Sequence, residues 1–219
     1  CIFIQEMTQE NLTVNKSLKV SKKEILDDFL LMNVSRNISY IGRKEVFMGR
    51  AKFGVFGDGK ELPQIAMSKF FRNGDFRSGY YRDQTFMMSI NQLTPDQFFA
   101  QLYAHTDIKK DPHSGGRQMN CHFGTRLLNE NGDWKTQTDM MNSVSDISCV
   151  SGQMPRIVGL AYASKLYRNN KNLSDMENFS INGNEVVFGT IGDASTSEGH
   201  FWEAINACGV LQVPFIMSI

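Results

Sequence analysis

Apolar and polar positions along the chain change period several times, and the clearest change falls in its last third. From Glu185 to Ile191, Val186, Val187, Phe188 and Ile191 stand among small residues, which predicts a parallel strand covered on both faces. Gly192 supplies a sharp exit from that strand. Ser195 with Glu198 three positions later has the spacing of a capping box, so a helix is expected to begin there with free N–H groups aimed back at the strand end. Val213 to Ile219 then reads as a further central strand, making 185–219 a strand, helix, strand unit.

Four helical stretches precede it. Ser21-Lys22-Lys23-Glu24 is a capping-box spacing opening an amphipathic helix with Ile25, Phe29, Met32 and Ile41 as its stripe, a packing or oligomerisation surface. A second helix follows Gly57-Asp58-Gly59 through Leu62-Pro63, with Ile65, Ala66, Phe70 and Phe71 as its buried side. Thr94-Pro95-Asp96-Gln97 joins an N-cap, Pro in the first turn and Gln at the third position, predicting a helix from Pro95 to about Ala104. From Gly152 to Tyr167 the spacing of Ile157, Leu160, Ala161, Ala163 and Ser164 predicts a closely packed helix. The Gly-, Asn-, Asp- and Ser-rich segment from Thr106 to about Ser145 is long for a connection, a length found in functional or disordered loops. Asn169 to Asn184 is a polar connection. No internal repeat is visible.

With 219 residues, 41% of them hydrophobic, the chain can bury a substantial core. Lys plus Arg and Asp plus Glu are 23 each, so no global field recruits nucleic acid or an anionic membrane, and any anion site must be local. No apolar run approaches a membrane span, and the start is too short an apolar run for a signal peptide, so cytoplasm, or another reducing compartment, is the expected setting. Cys1, Cys121, Cys149 and Cys208 are too irregularly spaced for a disulfide framework or a CxxC metal site. The chain begins with Cys instead of Met and stops inside a strand, which reads as a fragment of a longer protein.

Three clusters carry candidate chemistry. Asp193 stands between the strand exit and the expected helix start, where a divalent cation would bridge its carboxylate to a phosphate held by backbone amides; a structural Asp at an ordinary turn fits the pattern as well. Gly79-Tyr80-Tyr81-Arg82-Asp83-Gln84 sets a phenol beside a guanidinium, suited to gripping diphosphate oxygens, although a surface Arg–Asp pair is the plainer reading of Arg82-Asp83 taken alone. His122 is either a proton-moving group near neutral pH or a loop histidine bonded to backbone.

These clusters resemble motifs of the thiamine-diphosphate-dependent 2-oxo-acid dehydrogenases, specifically the α-subunit-like half of their decarboxylating first component. Gly192-Asp193-Ala194 is similar to the Gly-Asp-Gly that opens the thiamine motif. Ala194-Ser195-Thr196-Ser197-Glu198-Gly199 through Glu203-Ala204-Ile205-Asn206 resembles the more specific run that follows it. Gly116-Arg117-Gln118-Met119 through His122-Phe123-Gly124 is similar to a run of the branched-chain members, and Ile147-Ser148-Cys149-Val150-Ser151-Gly152-Gln153 looks like the loop entering the helix beneath the cofactor. The matches cover about Phe53 to Ile219.

The resemblance implies an α/β fold, a parallel sheet flanked by helices, with an N-terminal helical extension over 1–50 and an incomplete diphosphate-binding domain over 51–219. It implies thiamine diphosphate and Mg2+, with Asp193 a metal ligand, a second ligand beyond Ile219, and Gly192, Ala194 and Ser195 beside the cofactor. It further implies Tyr81 and Arg82 on the diphosphate, the Ser148 carbonyl on the aminopyrimidine, Val150 as the apolar wedge, His122 on the substrate side and K+ near Gln153. The activity implied is oxidative decarboxylation of a 2-oxo acid, branched-chain before pyruvate, with acyl transfer to a lipoyl group. The implied partners are a lipoyl-bearing acyltransferase and a β-like half, fused in some bacterial versions, that supplies the aminopyrimidine Glu; an oligomer is expected. Gln84 stands where relatives commonly have His, and Ala194 and Cys149 replace Gly and Pro. A transketolase-like enzyme would share the cofactor motif without Gly116–Met119 or Ser197–Gly199, and an α/β module that has lost its cofactor is the third reading.

Overall fold

The computed structural model describes residues 20–219 and contains four parallel strands between two helical layers. In chain order the elements are α1 (Lys22–Phe47), α2 (Glu61–Ser68), β1 (Phe76–Ser78), α3 (Gln84–Ser89), α4 (Pro95–Leu102), β2 (Asn142–Ser143), α5 (Met154–Asn169), β3 (Val187–Thr190), α6 (Gly199–Leu211) and β4 (Phe215–Ser218). The sheet order is β2-β1-β3-β4, every pair parallel, with Ser78 opposite Gly189 and Thr190 opposite Ser218. From β1 the chain moves outward to β2, then crosses back to β3 on β1's other side. That reversal opens a crevice at the carboxyl ends of β1 and β3, the place where open parallel sheets bind ligands.

β3 shows why the sheet sits between two cores. Its side chains alternate, Phe188 entering a cluster with Phe71, Phe86, Phe98 and Ile38, and Val187 entering another with Ile157, Ala161, Phe201 and Cys208. Phe71 meets the rings of Phe86 and Phe188 edge-on at centroid distances of 5.3 and 5.0 Å, and each fully buried ring contributes roughly 1.5–3 kcal/mol by burial. On the other face α5 lies tight against the strand because Gly189 has no Cβ; one there would come within 2.5 Å of Ile157 Cδ1.

Two helix starts follow the expected chemistry. Ser21 accepts the Glu24 N–H at the start of α1, and Thr94 and Gln97 form a complete capping box at α4. Other expectations need correction. The buried residues of α1 are Ser35, Ile38, Ser39 and Gly42, while Ile25, Phe29 and Ile41 are exposed. Helix α1 buries a small-residue face because α3 approaches closely enough for Ser35 and Thr85 hydroxyls to bond at 2.6 Å. In the second helix Ile65 is buried but Ala66 faces solvent; Phe70 and Phe71 lie just past its end at Ser68, Phe71 buried and Phe70 68% exposed. Ser195 is not a helix cap. After Gly192 the backbone enters a 3-10 turn, Asp193–Ser197, in which the Ser195 N–H bonds the Gly192 carbonyl at 3.0 Å, so α6 starts only at Gly199 with Glu198 as its cap residue.

No helix among the described residues is long and apolar enough to cross a membrane.

Candidate active site

At the carboxyl ends of β1 and β3 the chain leaves both strands in tight turns that touch. The Tyr80 N–H donates to Thr190 Oγ1 at 3.3 Å, and the Tyr80 ring lies beside Gly192, where a Cβ would sit 3.9 Å from Cε2. Burial in this crevice, reinforced by Asp83, pushes the Tyr80 phenol up to about 12. The Tyr80 carbonyl closes the turn by accepting the Arg82 N–H at 2.8 Å. Tyr81 and Arg82 then project outward, the guanidinium 5.8 Å from the centre of the Tyr81 ring.

From Tyr81 the contacts run around the crevice. Its ring stacks on His122 at 6.1 Å and 15°. The Nδ1 of His122 bonds the Asn120 carbonyl at 3.1 Å and its Nε2 meets Ser148 Oγ at 2.8 Å. A carbonyl only accepts, so in the neutral ring Nδ1 carries the proton and Nε2 accepts from Ser148. His122 is buried and Ser148 exposed; the hydroxyl therefore stands between imidazole and solvent. Among the described residues no hydrogen bond ends on the Ser148 carbonyl.

The circuit closes through the next residues. His200 donates from Nε2 to the Val150 carbonyl at 3.0 Å, and Ser151 Oγ donates to the Ser195 carbonyl at 2.6 Å. The Ser151 bond seats the 146–153 loop against the turn that carries Asp193, and the His200 bond seats it against the start of α6. Val150 itself is 48% exposed at the rim. Gln153 donates from Nε2 to the Thr190 carbonyl at 2.8 Å, pinning the start of α5 to the end of β3. Asp193 and Ala194 are exposed, and the Asp193 carboxylate takes part in no hydrogen bond or ion pair among the described residues. No group of three or more His, Cys, Asp or Glu residues able to hold a metal occurs among them either.

Thus Tyr81, Arg82, His122, Ser148, Val150, Gly192, Asp193, Ala194 and Ser195 gather on loops at one end of the sheet. Gln84 does not join them. It is fully buried, bonding Ser39 Oγ at 2.8 Å and the Gly57 N–H at 3.1 Å, and so ties α3 to α1. Asp58 is engaged by Arg43 at 2.6 Å. A cavity of about 390 Å³ among Thr138, Tyr167, Glu177 and Asn182 contains none of the gathered residues.

Tyr80, Ser151, Thr190 and Arg77 also belong to this end of the sheet although no motif in the sequence singles them out, as does His200, which the sequence gives no support beyond its residue type. Tyr80 carried a signal in its place beside Tyr81; Arg77 carried none, because an Arg in a three-residue strand has no apolar pattern.

Arg77 is buried without exposure, and its guanidinium reaches Asp83 at 2.7 Å and Asp146 at 3.0 Å. Burial works against the cation, but the two carboxylates outweigh it and raise the Arg77 pKa above its ordinary value. Burial lifts the Asp146 carboxyl above the usual carboxylate range despite Arg77.

The family model of the dehydrogenase E1 component matches residues 31–219. The 2-oxoisovalerate dehydrogenase subunit alpha of Bacillus subtilis is 26% identical over 203 residues, 92% of this chain and 52% of that protein. The mitochondrial 2-oxoisovalerate dehydrogenase subunit alpha of Homo sapiens is 26% identical over 215 residues, 98% of this chain and 39% of the relative. The chain spans about half the length, or less, of the curated relatives it matches. With the family match running from α1 through β4 and the motif residues meeting at the sheet's switch point, the chain belongs to the dehydrogenase E1 component family.

Proposed function

We propose that this chain forms the diphosphate-binding half of a thiamine-diphosphate-dependent 2-oxo-acid dehydrogenase of the branched-chain type. The observation that carries the proposal is the closed circuit of contacts from Gly192 through Tyr80, Tyr81, His122 and Ser148 to the Asp193 turn, built at the carboxyl ends of β1 and β3. The residues suit such a cofactor. An exposed, unengaged carboxylate at Asp193 suits a divalent cation, and the exposed Arg82 on the adjoining turn suits the anion that cation accompanies.

When bound, the cofactor supplies the electron sink for loss of carbon dioxide from a 2-oxo acid. Arg82 and Tyr81 hold the diphosphate from the β1 turn, and Asp193 holds Mg2+ with a second ligand beyond Ile219. Val150 presents an apolar support at the rim, and the Ser148 carbonyl is open to an aminopyrimidine amine. His122 acts on the substrate side through Ser148. The proposal includes K+ beside Gln153, a β-like half that contributes the aminopyrimidine Glu, a lipoyl-bearing acyltransferase that receives the acyl group, and a cytoplasmic setting.

The branched-chain assignment rests on the Gly116–Gly124 run and on the names of the relatives. A hydrophobic pocket gains only about 1–3 kcal/mol per added methylene, so the preference is a ratio of specificity constants. The test uses full-length enzyme with its β-like half and an artificial electron acceptor, comparing 3-methyl-2-oxobutanoate with pyruvate. The expected result is a higher kcat/KM for the branched substrate; a tenfold or greater preference for pyruvate overturns the substrate assignment, and activity on neither favours a cofactor-free module.

A further inference from the structure

One guanidinium underlies both walls of the crevice. Arg77 Nε donates to Asp83 Oδ2 at 2.8 Å and Nη2 to the Tyr80 carbonyl at 3.1 Å, both on the turn that carries Tyr81 and Arg82. The same Nη2 reaches Asp146 Oδ2 at 3.0 Å, at the root of the loop that carries Ser148 and Val150, and Nη1 donates to Ser143 Oγ at 2.8 Å on β2. The carboxylates extend the bridge. Asp83 Oδ2 accepts Thr190 Oγ1 at 2.5 Å from β3, and Asp146 Oδ2 accepts the Phe123 N–H at 3.0 Å from the segment holding His122. Gly79 completes the arrangement, since a Cβ there would overlap Asp83 Oδ2 and come within 2.5 Å of Arg77 Nη2.

The cluster is a poor way to gain stability. Two carboxylates share one cation without solvent, and Asp83 Oδ1 and Asp146 Oδ1 have no hydrogen-bond partner among the described residues. An apolar trio of similar volume generally stabilises such a position as well or better, whereas an ion cluster fixes direction and distance.

We propose that Arg77, with Asp83 and Asp146, is a positioning residue that sets the separation between the Tyr80–Arg82 turn and the Ser148–Val150 loop. It thereby presets the gap into which the cofactor fits. This rests on the cofactor reading above. Arg77 touches no reacting atom; it acts through the residues it aligns, and misplacement by a fraction of an ångström is enough to weaken binding across such a gap.

The test uses the full-length protein with its β-like half and the isosteric variants Asp83→Asn and Asp146→Asn, which keep side-chain volume if Arg77→Met fails to fold. Hydrogen exchange is read over 79–83 and 146–151, alongside thiamine diphosphate affinity with Mg2+ and the thermal midpoint. For Asp146→Asn the expected result is faster exchange in both segments, cofactor affinity weakened about tenfold or more, and a thermal midpoint within about 4 °C of wild type. Arg77→Lys, which keeps a cation but not the fork, should fall between wild type and Arg77→Met in affinity. Faster exchange confined to 146–151, or affinity within about twofold of wild type, overturns the proposal. If the wild-type protein binds no thiamine diphosphate, the function reading fails. The coupled or uncoupled exchange of the two segments then still decides whether Arg77 ties them.

Discussion

The Ser148 hydroxyl bonds the Nε2 of His122 at 2.8 Å, while the Asn120 carbonyl holds the opposite ring nitrogen at 3.1 Å. This fixes the ring between two loops and leaves Ser148 as the polar atom presented outward. Replacing His122 by Ala therefore removes a support on the substrate side. The expected outcome is a fall in kcat/KM for the 2-oxo acid of roughly 10–100-fold, the scale of a hydrogen bond to a charged group. Ser148→Ala should reproduce most of that loss, and cofactor affinity measured by titration should change little in either variant. Equal losses of cofactor affinity would move His122 to the cofactor side.

Arg82 is exposed, and its backbone carbonyl is held by Gln64 Nε2 at 2.9 Å, so truncating its side chain leaves the turn in place. Arg82→Ala should weaken thiamine diphosphate binding by roughly 1.5–3 kcal/mol, read as the dissociation constant in a calorimetric titration. Normal affinity with lost turnover would instead place Arg82 on the substrate.

Asp193 has no partner among the described residues, which predicts that its replacement costs metal and not stability. Asp193→Ala should leave the thermal midpoint of the ligand-free protein unchanged and abolish the dependence of cofactor affinity on Mg2+. Chelation of the wild-type protein should reproduce the variant's affinity. Unchanged metal dependence after the substitution would contradict the ligand assignment.

A pH effect is expected away from the site. Burial favours the neutral form of Glu61, but the Arg36 fork at 2.5 and 2.7 Å and the Gly59 N–H outweigh it and hold the carboxyl below its ordinary value of 4.5. A carboxylate with a depressed folded pKa stabilises the protein above the unfolded value, and that contribution is lost as pH falls through the folded one. Arg36 is half-exposed, so Glu61→Gln should cost only about 1 kcal/mol at pH 7. The difference from wild type should shrink as unfolding is measured at pH values falling below 4.5. A constant difference across that range would refute the linkage.

Much of this architecture was legible where a single period ruled. β3 is buried on both faces, as the run of Val, Val, Phe and Ile across it predicts, and the Thr94–Gln97 box marks α4 by its capping chemistry alone. β1 and β2 were not legible, because three residues with a buried Arg and two residues Asn-Ser present no hydrophobic alternation; tertiary ion pairing holds Arg77 inside the sheet. On α1 the stripe residues Ile25, Phe29 and Ile41 stay outward as surface while serines and a glycine face the core at close range, a face that carries no hydrophobic signal. Ser195 misled because capping-box spacing does not distinguish a 3-10 turn from the helix that follows it. Within the site, the motif residues were found by resemblance, whereas Tyr80, Thr190 and Arg77 became visible only once β1 and β3 were seen side by side.

The most direct test of the account is a calorimetric titration of the full-length protein and its β-like half with thiamine diphosphate and with thiamine monophosphate, each in Mg2+. The arrangement of Tyr81, Arg82 and Asp193 predicts saturable one-site binding of the diphosphate and at least tenfold weaker binding of the monophosphate. Equal affinities, or no binding of either, would contradict a diphosphate site at the carboxyl ends of β1 and β3.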